Sequence, residues 1–212
     1  MKTEMGGEPL VDLDAMVRAA AFRLLIRSGE AITLESIAQV TGITGDRLAV
    51  LLDDLDRAGR IRRDEAGRIV GSAGLSVVPD RHEIEIEGRR FWTWCAYDIL
   101  GIFGALQATG RASSPIPGTR DLIHLDFTGG RPQKSNAVLF RPDTELMSCC
   151  ENVYEEWCPN SNLFADRASA QKWATEHGLQ GRVLTLTKAN ELATEEWKSL
   201  TNGGEVDLDS KS

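Results

Sequence analysis

An α+β fold is predicted, with an N-terminal winged-helix-like three-helix domain followed by a mixed α/β domain of short, mainly antiparallel strands. Three observations lead there. Apolar residues recur at helical spacing three times before residue 60, and a short Ile/Arg-rich hairpin follows. From Leu75 onward, short runs alternate apolar and polar residues, the period of half-buried strands. The 212-residue chain is 42% apolar and 26% charged, which is material for a buried core and not a disordered composition.

The elements follow in order. Residues 11–28 place Leu13, Met16, Val17, Ala20, Leu24 and Leu25 at helical spacing. Thr33 with Glu35 and Ser36 looks like the start of a second helix, and Thr41-Gly42-Ile43-Thr44 like a turn. A third helix is expected over 45–58, with Leu48, Leu51, Leu52 and Leu55 as its apolar face. Residues 61–63 and 68–70 read as a hairpin around Glu65-Ala66-Gly67, closing a first domain of residues 1–80. The second domain, 81–200, starts with strands at 82–87 and 91–94 separated by a turn at 88–90, after a short strand at 75–78. An apolar helix over 95–106, a loop over 113–118, and strands at 121–127 and 136–140 come next. Residues 144–157 read as one helix broken by Cys158-Pro159-Asn160. A strand at 162–165, a helix at 168–177, a strand at 182–187 and a final helix at 189–200 complete it. Residues 1–10 read as a flexible lead-in and 201–212 as a disordered polar tail.

Charge and composition narrow the function. The chain carries 24 basic and 32 acidic residues, a formal net charge of −8, which disfavours a broad electrostatic grip on nucleic acid or an anionic membrane. The winged-helix pattern itself points to DNA. The third helix, however, presents Asp46, Asp53, Asp54 and Asp56 against Arg47 and Arg57, the wrong sign for a phosphate-lined groove. The basic tip, Arg60, Arg62, Arg63 and Arg68, is the contrary sign. No apolar run approaches the ~18 residues of a spanning helix, and the polar, acidic start lacks the features of a secretory signal, so a cytoplasmic location is expected.

The chemistry rests on cysteine. Cys95, Cys149, Cys150 and Cys158 include no CxxC pair, and in a reducing cytosol they are expected as free thiols. Cys95 and Asp98 stand at i and i+3 in the first turn of a predicted helix, on one face and within mutual reach. The helix N-terminus is expected to lower the thiol's pKa, and an apolar surround of Phe91, Trp92, Trp94, Tyr97, Ile99 and Phe103 to raise the carboxyl's. Taken alone, Cys95 also fits a small core residue and Asp98 a first-turn dipole partner. Cys158 sits in a loop at a predicted helix end and also fits a buried loop thiol. Cys149 and Cys150 are adjacent, so they should point in different directions, with one of them in the core. The spacing lacks the paired knuckles of a structural zinc site, and His82, His124 and His177 are scattered, with His82 on an edge-like strand.

These residues resemble those of the organomercurial (alkylmercury) lyase family. The resemblance is carried by Gly88-Arg89-Arg90-Phe91-Trp92-Thr93-Trp94-Cys95-Ala96-Tyr97-Asp98. It continues in Cys158 ahead of Leu163-Phe164-Ala165, in Ala170-Gln171-Lys172-Trp173-Ala174 and in Gly178-Leu179-Gln180-Gly181, over about residues 15–200. Pro159 stands where some members carry a second cysteine. The resemblance implies a cofactor-free enzyme that cleaves carbon–mercury bonds by protonolysis, giving a hydrocarbon and Hg(II). Cys95, Cys158 and Asp98 would be its catalytic residues and its mercury ligands. It also implies an organomercurial substrate, and a low-molecular-weight thiol or mercuric reductase as acceptor of Hg(II).

Two other classes compete. One is a thiol-based metal- or redox-sensing winged-helix transcription regulator, which the acidic third helix disfavours. The other is a non-enzymatic trap for a soft metal. For the lyase, the sulfurs of Cys95 and Cys158 must lie within a few ångströms, and a rigid separation well over ~10 Å would exclude it.

Overall fold

The computed structural model describes residues 12–201. Asp12 accepts the Ala15 N–H at 3.0 Å and starts α1 (Leu13–Ser28); Gly29, in the left-handed conformation, ends it by donating to Leu25 O at 2.8 Å. Thr33 caps α2 (Leu34–Thr41), accepting from Ser36 N–H at 3.3 Å. The third helix, α3 (Gly45–Arg57), buries Leu48, Leu52 and Leu55. With β1 (Ile61–Arg63) and β2 (Ile69–Ser72) antiparallel, the winged-helix order of elements is present.

The sheet does not stop at the wing. It continues through β3 (Leu75–Ser76), β4 (His82–Ile86), β5 (Arg89–Thr93), β6 (Gly110–Pro115), β7 (Leu122–Thr128) and β8 (Arg131–Pro132). The strand order is β1-β2-β3-β5-β4-β6-β7-β8, antiparallel throughout, and it crosses residue 80 unbroken. Val17, Phe22 and Leu25 of α1 share one core with Ile84, Phe91, Phe103 and Phe127. A smaller antiparallel sheet has β9 (Val138–Pro142) between β10 (Asn162–Phe164) and β11 (Gly181–Thr185), covered by α6 (Arg167–Glu176), whose Trp173 packs on Phe140 and Phe164. The architecture is α+β.

Between these parts lies α4 (Ala96–Leu106), buried from Ala96 through Gly104. Its sequence is apolar all round because it touches both sheets and α7 (Leu186–Thr201). Glycine lets the two helices approach. A Cβ on Gly101 would stand 2.6 Å from Trp197 Cδ2, and one on Gly104 would overlap the Thr194 side chain.

Several expectations are corrected. Residues 113–115 are strand, not loop: Ser114 turns inward to His82 Nδ1 at 2.8 Å, so a small polar residue there satisfies a buried imidazole. His82 itself is buried on β4, an interior strand and not an edge. The helix expected over 144–157 divides into α5 (Thr144–Cys149) and a wide turn, Val153–Trp157. Glu156 accepts the N–H groups of Glu151 and Asn152, at 2.9 and 2.7 Å, and so holds the break open. Asn152 Nδ2 and Val153 N–H donate to Arg57 O and Ala58 O, docking the break on the end of α3. The strand after Gly88 begins at Arg89, inside the expected turn. Thr201 closes α7; the expected tail beyond it and the expected lead-in, 1–10, lie outside the described residues.

Candidate active site

Cys95 is the N-cap of α4. It is extended at φ −143°, ψ 169°, and its thiol takes the place that a serine hydroxyl holds in a capping box. Its N–H donates to Asp98 Oδ2 at 2.8 Å, so the carboxylate of the first helical turn folds back toward the thiol. Trp94 N–H donates to Gly74 O and Thr93 Oγ1 to Cys95 O, both at 3.0 Å, which fixes the entry into the helix.

Cys158 arrives from the other side of the chain's path. It opens a single 3-10 turn with Pro159 and Asn160, directly after the wide turn. Ala96 N–H donates to Ser161 O at 3.1 Å, and Asn162 Nδ2 to Pro159 O at 2.7 Å. These bonds tie that turn to the start of α4. As a result Cys95 Sγ, a carboxylate oxygen of Asp98 and Cys158 Sγ lie within 4.8 Å of one another, all buried. The two sulfurs, 63 residues apart in the chain, therefore meet well inside the limit set above.

Burial sets the protonation. Desolvation first, then the neighbouring Cys158 and Asp98, push the Cys95 thiol well above its ordinary value. This corrects the expected lowering: the helix N-terminus is outweighed by complete burial. Desolvation also pushes Asp98 up to about 7, against hydrogen bonds from Cys95 that pull it down. A carboxyl in that range holds and yields a proton near neutrality.

Asp98 and Cys158 open on a cavity of about 210 Å³. Trp94, Tyr97, Trp157, Trp197, Met147 and Val153 give it apolar walls. Of the expected aromatic surround, Trp94 and Tyr97 are there. Phe91 and Phe103 belong to the core, and Trp92, on the face of β5 opposite Phe91, is half-buried away from the cavity. Trp157 and Trp197 were missed. Trp157 stands beside Cys158, and Trp197 is held by Nε1 donating to Ala73 O at 3.0 Å. Gly74 was missed as well. It has φ +86°, and Asp98 occupies the space its Cβ would need. Arg141, also on the wall, pairs with Glu196 at 3.0 Å and lies 4.8 Å above the Tyr97 ring.

The other expected residues lie elsewhere. Cys149 is exposed and Cys150 half-buried against the core, their thiols turned to Leu146 O and Met147 O of their own helix. His124 faces Ser113, and His177 ends α6 with Nδ1 on Trp173 O. The basic tip is largely consumed internally. Arg63 binds Asp53 and Asp56, Arg68 binds Asp64, and Arg62 lies 3.9 Å above the Tyr154 ring. Among the described residues no helix is long and apolar enough to cross a membrane.

Two buried thiols with an acid of raised pKa between them define a protein for soft, thiophilic electrophiles, handled where a proton can be delivered. Comparison with known proteins names the electrophile. The family model described as alkylmercury lyase matches residues 75–197, more than half of the sequence, and the chain belongs to that family. An alkylmercury lyase of Staphylococcus epidermidis is 29% identical over 173 residues, covering 79% of this chain and 76% of the relative. One of Streptomyces lividans is 28% identical over 184 residues, covering 84% and 81%. A solved structure described as the mercury-bound form of MerB2 superposes with a TM-score of 0.77 at 28% identity, covering 90% of this chain and 93% of that one.

Proposed function

We propose that Cys95, Cys158 and Asp98 are the catalytic residues of this alkylmercury lyase and hold mercury as substrate and product. The enzyme cleaves the carbon–mercury bond of an organomercurial by protonolysis. The observation that carries the residue assignment is the approach of the two sulfurs and the carboxylate to within 4.8 Å. Two thiolate bonds in line, each at or slightly beyond the ~2.3 Å of zinc–sulfur, span roughly 5 Å, so one linear mercury fits between them.

Cys158 lines the cavity and Cys95 is sealed behind it. Cys158 therefore meets the organomercurial first and displaces its labile ligand, losing one proton to it. Asp98 then takes the Cys95 proton, and that sulfur adds to mercury. Two sulfur donors push electron density onto carbon. Asp98 returns the proton to carbon, the carbon–mercury bond breaks, and a hydrocarbon leaves. Hg(II) remains bridged by Cys95 and Cys158 until two external thiols replace them and restore both protons. The aromatic walls hold the organic group and keep water away from the acid.

In this reading the enzyme uses no resident cofactor. It works in a reducing cytoplasm, hands Hg(II) to a small thiol or to mercuric reductase, and has no nucleic-acid partner. The consumed charges of Arg62, Arg63 and Arg68 support the last point. Headspace gas tests the assignment. Wild type with methylmercury and excess thiol should release methane. Cys158→Ser should neither capture methylmercury nor release gas, and Cys95→Ser should capture one equivalent without gas. Methane at the wild-type rate from either variant would overturn the assignment.

A further inference from the structure

Three arginines line the cavity on which Asp98 and Cys158 open: Arg18 of α1, Arg60 after α3, and Arg141 of β9. Arg141 is neutralised by Glu196 at 3.0 Å. Among the described residues, Arg18 and Arg60 form no ion pair. Arg18 Nε is buried without an acceptor. A buried donor left unmade costs free energy, and two guanidinium groups on one small cavity repel each other. Burial and then Arg60 lower the pKa of Arg18, against Asp12 and Asp14 at the start of α1, which raise it without pairing with it. In a chain of net charge −8, this is a local excess of positive charge at the active site. Both arginines come from the winged-helix-like segment, while the thiols and the acid come from the segment beyond residue 80.

We infer that Arg18 and Arg60 form a carboxylate subsite of the active-site cavity, so that ligands carrying a carboxylate near mercury or near a thiol are favoured. A guanidinium fork matches a carboxylate in geometry and charge, and the cavity's remaining wall is largely apolar. The carboxylate has two sources, the organic group of the organomercurial and the thiol that removes Hg(II). This inference rests on the lyase reading of Cys95, Asp98 and Cys158.

Steady-state protonolysis tests it in two arms. In the first, 4-carboxyphenylmercury is compared with 4-methylphenylmercury, both with 2-mercaptoethanol. In the second, 4-methylphenylmercury is turned over with mercaptoacetate or 2-mercaptoethanol, and the thiol concentration at half-maximal rate is read. Each is run on wild type, Arg18→Gln, Arg60→Gln and the double variant, with circular dichroism to confirm folding. The ratio of carboxylate to neutral ligand should drop about tenfold from wild type to the double variant, the worth of one charge-assisted hydrogen-bonded pair. A drop in the first arm assigns the subsite to the organic group, and a drop in the second to the acceptor thiol. If the double variant does not fold, the single variants decide by the same ratio. A change below about twofold in both arms, the size of a solvent-screened pair, overturns the subsite. Absence of toluene from wild type with 4-methylphenylmercury and 2-mercaptoethanol would instead defeat the lyase reading, and the subsite with it.

Discussion

The backbone N–H of Cys95 donates to Asp98 Oδ2 at 2.8 Å, so the acid is anchored to the residue that supplies one of the two sulfurs. The bond performs two tasks. It caps α4, and it keeps the carboxyl beside the thiol whose proton it takes in the proposed mechanism. Asparagine at position 98 keeps an oxygen for the cap but cannot carry the proton. Asp98→Asn should therefore fold and lose at least ~100-fold in methane release, the range for removing a general acid–base. Stability should change with a definite sign. The folded value of Asp98, about 7, lies above its ordinary 3.8. The stability it contributes is present below the lower value and lost as pH rises through the upper one. Melting temperatures at pH 5 and pH 8 should show Asp98→Asn gaining on wild type at the higher pH.

Gly74 supports the same carboxyl from outside the helix. Its φ is +86°, and a Cβ there would overlap Asp98. Gly74→Ala should cost roughly 1–3 kcal/mol in urea unfolding, from backbone strain and overpacking. It should also slow turnover by displacing the acid, and methane release measured on the folded fraction checks this.

His82 gives the fold an acid limit of its own. Burial holds it neutral and pulls its pKa from 6.5 to about 3, with Nδ1 on Ser114 Oγ at 2.8 Å. The folded value lies below the unfolded one, so the stability contributed is present above pH 6.5 and is lost as pH falls toward 3. Within that window the loss should approach about 1.4 kcal/mol per pH unit. Chemical denaturation at several pH values should show His82→Gln losing less stability than wild type on acidification.

What the sequence disclosed was what local spacing encodes. The i, i+3 relation of Cys95 and Asp98 survives intact because a helix turn enforces it, and the carboxyl's pKa is raised by burial as expected, although only Trp94 and Tyr97 of the expected surround line its cavity. Cys158 stood out locally as a thiol in a loop at a helix end, but its pairing with Cys95 came from the family resemblance. Its approach to Cys95 depends on the bond from Ala96 to Ser161, which spans 65 residues and leaves no periodic trace. The strand at Ser113 and Ser114 was hidden because Ser114, which points inward beside Ala112, is polar and bonds a buried histidine, so the apolar alternation is interrupted. Arg60 read as part of a basic wing tip; only the docking of the chain onto the end of α3 shows that it borders the active-site cavity. The same packing makes the N-terminal helices a wall of the site, with one sheet running through both segments.

The most direct measurement is a single turnover of methylmercury by Asp98→Ala beside wild type, with methane and protein-bound mercury quantified in the same sample. Wild type should yield one methane per mercury retained, whereas Asp98→Ala should retain the mercury with its methyl group attached and yield almost no gas. Methane from Asp98→Ala at the wild-type rate would show that another group delivers the proton and that the buried carboxyl is only a helix cap.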